Sequence, residues 1–148
     1  MKVILTIATG IIMMLSVAAQ NQSTKQNVET DRIQFTAASW HEILTTAKKE
    51  NKPIFLDISA SWCGYCKRMK ANVFTEPEVA KLYNSTFINV SVDGEKGDGI
   101  ELAKKYGVKG YPTFVFINPN GELIMKASGY RAPEQFVELG KTAINKSK

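Results

Sequence analysis

A short apolar run, Ile54-Phe55-Leu56-Asp57-Ile58, is interrupted by one carboxylate and followed five residues later by Cys63-Gly64-Tyr65-Cys66. This juxtaposition restricts the possible folds more than any other feature of the chain. The run has the length and punctuation of a buried strand, with Pro53 just before it. Cys63 then opens a helical pattern in which Cys66, Met69 and Val73 share a face. A buried strand feeding a helix belongs to a sheet covered by helices.

Composition narrows the class. The 148 residues are 44% hydrophobic and 22% charged, too apolar for a disordered chain. Two cysteines are too few for a disulfide-stapled miniature fold or a four-cysteine zinc site. Nineteen Lys and Arg against fourteen Asp and Glu give +5, with the bases scattered among acids. A nucleic-acid reader concentrates its basic excess on one stripe, so no nucleic-acid partner is expected.

The first residues read as an export signal. Lys2 precedes a short apolar run from Val3 to Leu15, and Ser16, Ala18 and Ala19 offer small-residue cleavage positions. The run is shorter than the roughly 20 apolar residues of a spanning helix and contains Thr6, Thr9 and Gly10. The expected organisation is a signal peptide over 1–19, a polar flexible leader over 20–31 and one domain over 32–148. An uncleaved membrane anchor is the alternative for the first segment. An exported, periplasmic or secreted protein is the expectation.

Within the domain, Ile33 and Phe35 alternate with polar residues and predict a short strand. Ser39 caps a predicted helix through Lys49, with Trp40, Ile43, Leu44 and Ala47 on one face. A capping box at Thr75-Glu76-Pro77-Glu78 starts a helix to about Tyr83. A strand over Phe87 to Val92 is followed by a helix over Ile100 to Tyr106, stopped by Gly107. Thr113 to Ile117, a turn at Asn118 to Gly121, and Leu123 to Ala127 read as an antiparallel pair. Pro133 starts the last helix. The order β-α-β-α-α-β-α-β-β-α is an α/β fold: a central mixed sheet flanked by helices on both faces.

The cysteine spacing carries the chemistry. Residues three apart on a helix are neighbours, so the two sulfurs can be bridged. Cys63 sits where free backbone N–H groups and the helix dipole favour a thiolate. Lowering a thiol pKa from about 8.5 to about 7 raises its thiolate fraction at pH 7 roughly fifteen-fold. Cys66, one turn further in, is shielded and suited to resolve a mixed disulfide. Metal binding is not expected, because two further ligands are lacking and His41, the single histidine, lies on a predicted surface helix.

Asp57, Trp62-Cys63-Gly64-Tyr65-Cys66-Lys67 and Gly110-Tyr111-Pro112-Thr113 resemble the thioredoxin superfamily in order and spacing, from about Ile33 to the C-terminus. Lys52-Pro53, Phe74 through Val79 and Gly107-Val108 resemble its exported branch, which includes the C-terminal domain of DsbD-type reductases. The resemblance implies a thioredoxin fold and thiol–disulfide oxidoreductase activity. It implies that Pro112 is a cis-proline facing the disulfide and that Asp57 is a buried carboxylate near Cys66. It also implies that Trp62, Gly64, Tyr65, Tyr111 and Pro112 receive the substrate. The catalytic set is then Cys63, Cys66 and Asp57, with no cofactor beyond the Cys63–Cys66 pair.

Three positions depart from the pattern. Tyr65 stands where reducing members carry Pro, Asn89 where a lysine accompanies the buried carboxylate, and Tyr111 resembles the protein disulfide isomerases. The expected partners are protein or peptide disulfides and a membrane electron-donor protein, and the expected assembly is a monomer. A disulfide isomerase or oxidase is the rival enzyme, and a non-catalytic binding module or chaperone the rival outside catalysis. Lys67, Arg68 and Lys70 read as a solvated helix face, and Asp93 to Gly99 as a solvated turn.

Overall fold

The computed structural model describes residues 31–147. The expected signal peptide, and the leader apart from Asp31, lie outside the described residues. The elements are α1 (Trp40–Glu50), β1 (Ile54–Ser59), α2 (Gly64–Asn72), α3 (Pro77–Thr86), β2 (Ile88–Asp93), α4 (Asp98–Lys105), β3 (Thr113–Ile117), β4 (Leu123–Ser128) and α5 (Pro133–Lys146). The strands form one sheet in the order β2-β1-β3-β4. β1 pairs parallel with β2 and antiparallel with β3, and β4 closes the far side antiparallel to β3. This mixed sheet with helices on both faces is a thioredoxin fold, as the sequence predicts.

Alternation along the two central strands sorts the core. Phe55, Phe114 and Phe116 point to one face, where Met69 of α2, Val79 and Tyr83 of α3, and Phe136 and Ala143 of α5 cover them. Ile54, Leu56, Ile58, Val115 and Ile117 point to the other, against Ile43 and Ala47 of α1 and Leu102 of α4. Both central strands are buried along their whole length, which is why they read as near-continuous apolar runs. Asp57 is the exception that the pattern exposes. By alternation it shares the face of Phe55, beneath α2.

Two local readings are corrected. Residues 33–36 form no strand: Ile33 N–H donates to the Phe74 carbonyl and Thr36 N–H to the Asn89 carbonyl, isolated bonds rather than a ladder. The alternation of Ile33 and Phe35 is real, but it reports burial of their side chains against the aromatic core. The capping box at Thr75–Glu78 does not form either. Thr75 Oγ1 donates back to the Ala71 carbonyl, Glu76 is the N-cap without a side-chain bond, and Pro77 opens α3. At α1, by contrast, Ser39 and Glu42 complete a capping box. Gly107, at φ 60°, ends α4. Lys126 of β4 then reaches the Tyr106 and Gly107 carbonyls at 2.8 and 2.9 Å, tying the outer strand to that helix end.

Among the described residues, no helix is long and apolar enough to cross a membrane.

Candidate active site

β1 delivers the chain to the mouth of α2. Cys63 is the N-cap of that helix in extended conformation, and its Sγ accepts the Cys66 N–H at 3.1 Å. A sulfur at this position meets an otherwise unpaired helix N–H and the positive end of the dipole. The two cysteines are bonded as a disulfide, with Cα atoms 5.3 Å apart. Both are buried, packed with Ala60 and against Tyr111. Gly64 stands between them with open space where a side chain would project, so the approach above the first turn is unobstructed.

Around this pair lies an exposed aromatic rim. Trp62 is 67% exposed and Tyr65 58% exposed, so neither belongs to the core. Trp62 meets Tyr111 edge-on at 6.0 Å, and its indole N–H donates to Glu95 Oε2 at 3.0 Å. Tyr111 in turn lies against Gly94, where a Cβ would meet the phenol ring at 2.7 Å. A side chain at 94 would push the ring aside, so glycine lets it approach this closely. Burial, with the Glu95 and Asp93 carboxylates, raises the Tyr111 phenol above its ordinary value. The Tyr111–Pro112 peptide bond is cis, and the Pro112 carbonyl accepts the Gly129 N–H at 2.9 Å.

On the other side, Tyr65 faces Tyr130 at 6.4 Å, and the Arg68 guanidinium lies 4.9 Å from the Tyr130 ring and 5.9 Å from that of Tyr65. Arg68 is thus engaged with the rim through cation–π contacts rather than merely solvated. Glu95 and Tyr130 carry no sequence signal for the site, and Arg68, which reads from the sequence as part of a solvated helix face, joins the rim instead. The signal that could have placed Arg68 is its position three residues after Tyr65 on one helix face.

In β1, the Asp57 side chain is only 2% exposed. Its Oδ2 accepts from Ser91 Oγ at 2.8 Å, and Lys70 Nζ stands 3.9 Å away. Asn89 is elsewhere: it pairs with Phe55 in register, and its amide nitrogen donates to the Gln34 carbonyl and to Asn84. The cation beside the buried carboxylate comes instead from α2, as Lys70. That corrects the reading of Lys70 as part of a solvated face. His41 lies exposed on α1, and the Asp93 turn is closed by a Lys96–Asp93 ion pair at 3.6 Å. Among the described residues, no group of three His, Cys, Asp or Glu side chains is placed to hold a metal ion.

Burial raises the Asp57 carboxyl from its ordinary 3.8 to about 6, and the Ser91 hydrogen bond and the Lys70 charge pull it only part of the way back. The folded chain therefore holds this proton more tightly than the unfolded chain between about pH 4 and pH 6. Stability falls as pH rises through that window, and the deficit is complete above it. Asp57→Asn is accordingly expected to stabilise the oxidised protein at pH 7.5 by on the order of 2 kcal/mol, and not at all near pH 4. Urea unfolding at the two pH values measures this.

The description "Thioredoxin-like domain" fits residues 40–144, which is most of the chain. The chain belongs to the thioredoxin-like family. Thioredoxin H4 from Arabidopsis thaliana is 41% identical over 90 residues, 61% of this chain and 71% of its own length. A thiol:disulfide interchange protein DsbD from Yersinia pestis is 30% identical over 95 residues, 62% of this chain but 16% of that much longer protein. Among solved structures, a candidate disulphide-isomerase from Bacteroides thetaiotaomicron is 44% identical with a TM-score of 0.66, over 76% of this chain and 95% of that one. Family membership and the bonded cysteine pair make this a thioredoxin-like thiol–disulfide oxidoreductase.

Proposed function

We propose that the protein is an exported protein-disulfide reductase that works through Cys63 and Cys66 with no other cofactor. The observation that carries this reading is the Cys63–Cys66 bond at the mouth of α2, beneath an exposed rim of Trp62, Tyr65 and the Tyr111–Pro112 loop. In the reduced protein, the Cys63 thiolate attacks one sulfur of a substrate disulfide. A Cys63–substrate bond forms, and the other substrate sulfur leaves with the electron pair. Cys66 gives its proton to Asp57 and attacks Cys63 Sγ, which restores the Cys63–Cys66 bond and releases the second substrate thiol. The chain is oxidised by two electrons and the substrate reduced by two.

The rim supplies recognition. Trp62 and Tyr65 present apolar area, and the backbone on either side of the cis bond pairs with an extended substrate segment. The chain acts as a monomer. The basic start and short apolar run before Gln20 support export. An oxidising compartment regenerates no thiols, so a membrane protein that passes electrons outward is the implied donor. The likeness to DsbD fits that arrangement.

A second reading, isomerase or oxidase, is favoured by Tyr65 between the cysteines and by the Bacteroides relative. The reduction potential separates the two. A value near about −270 mV supports the reductase, and one between about −180 and −120 mV the rival. Cys66→Ala is expected to accumulate mixed disulfides on Cys63, because the resolving attack is gone. Mass spectrometry of non-reduced complexes identifies the captured proteins. Recovery of none, under conditions where the intact protein reduces insulin, contradicts the two-step scheme.

A further inference from the structure

The mechanism asks Asp57 to receive a proton and then lose it, yet the carboxylate is enclosed. From β2 it meets Ser91, which is neutral, and its partner on β3 is Phe114, which is apolar. From α2 it meets Lys70, the one cation within 4 Å of it among the described residues. Lys70 differs from the rest of this shell in two ways. It carries charge, and it is 49% exposed, so a single side chain touches both the buried oxygen and water. Its Nζ also donates to Ser59 Oγ at 3.3 Å, and Ser59 Oγ donates to the Val92 carbonyl at 3.4 Å. These contacts anchor the ammonium over β1. Lys70 also lies four residues after Cys66 on α2, hence on the same helix face and one turn away. The residue by which α2 reaches Asp57 is thus one helical turn from Cys66.

We propose that Lys70 is a positioning residue for the resolving step, holding Asp57 ionised and giving its proton a way out to solvent. The inference rests on the assignment of Cys63 as nucleophile and Cys66 as resolving thiol. In the mixed disulfide, the Cys66 S–H proton passes to Asp57. The Cys66 electron pair forms the bond to Cys63 Sγ, and the Cys63–substrate bond breaks with its pair on the departing sulfur, which takes a proton from water. Asp57 then releases its proton to water at the edge that Lys70 occupies. Lys70 begins and ends as an ammonium. Without it, burial is opposed only by the Ser91 hydrogen bond, and the carboxyl stays protonated over a wider pH range, unable to accept the thiol proton.

The two steps can be read separately with the full chain, reduced and mixed with an aromatic disulfide whose released thiolate is coloured. The first burst of colour reports attack by Cys63, and the second reports resolution by Cys66. In Lys70→Met, the pH at which the second burst reaches half its plateau rate is expected to move up by about one unit. That is the low end for a single nearby charge, because Lys70 is half-exposed and screened. On the acid side the second burst slows about tenfold, while the first burst keeps its rate. Lys70→Arg keeps the wild-type profile, which a loss of packing would not explain. An unshifted second burst in Lys70→Met, or a Lys70→Arg as slow as Lys70→Met, overturns the role of Lys70 and leaves the assignment of the cysteines intact. Absence of the first burst in the wild type overturns that assignment, and this inference with it.

Discussion

Cys63→Ser is expected to bring insulin reduction down to the uncatalysed rate while leaving the fold in place. Serine is among the best N-cap residues, so its hydroxyl accepts the Cys66 N–H that Cys63 Sγ accepts now. The helix start is kept. The chemistry is lost, because a serine hydroxyl is not ionised at neutral pH and forms no bond to sulfur under these conditions. The substitution thus separates what the cap contributes to structure from what the sulfur contributes to reactivity. Thermal unfolding of the variant and of the reduced wild type is expected to agree to within about 1 kcal/mol. Turnover that survives the loss of Cys63 would refute its assignment as the nucleophile.

The largest loss of stability is expected at Phe55. This ring is fully buried in β1 and has aromatic neighbours on every side: Tyr83 at 4.8 Å, Phe116 at 5.4 Å, Phe136 at 5.7 Å, Phe114 at 6.1 Å, Phe74 at 6.3 Å and Phe35 at 6.4 Å. Those neighbours come from two helices (α3 and α5), one strand (β3) and two connecting segments, so they cannot collapse together to fill the gap. Tyr83 is further fixed by its stack on Phe136 at 4.7 Å and its hydrogen bond to the Phe136 carbonyl. Phe55→Ala is expected to cost about 3–5 kcal/mol and lower Tm by roughly 10–20 °C, read by urea and thermal unfolding. Trp62→Ala, at a larger but exposed ring, should stay within about 0.5 kcal/mol in the same experiment. A loss of under 1 kcal/mol at Phe55 would mean that the aromatic cluster repacks.

Sequence and structure part company where one signal has two physical causes. The buried strands were legible because strands covered on both faces leave no polar positions, and Asp57 stood out for the same reason. The helix at Cys63 was legible because Cys66, Met69 and Val73 mark its buried face. Ile33 and Phe35 misled, because one-sided burial produces the same alternation with or without a backbone ladder. Thr75 misled because its hydroxyl has two accessible partners, the next helix's first N–H groups and the Ala71 carbonyl behind it, and spacing does not choose between them. Lys70 was hidden for a different reason. A lysine stem is long enough to leave a polar helix face and place its ammonium over a neighbouring strand, so its destination depends on how α2 sits on β1. The rim partners Glu95 and Tyr130 depend likewise on loops folding back over long stretches of chain.

Because both sulfurs belong to a single helical turn, making or breaking the bond between them asks nothing of the rest of the sheet. The chain has no other cysteine, so its storage capacity is one electron pair. Each molecule exchanges that pair with one partner and must meet a second before it can act again. Flux through such a carrier scales with how often it collides with those two parties, which makes its abundance and the shape of its rim, rather than any internal rearrangement, the quantities on which throughput depends.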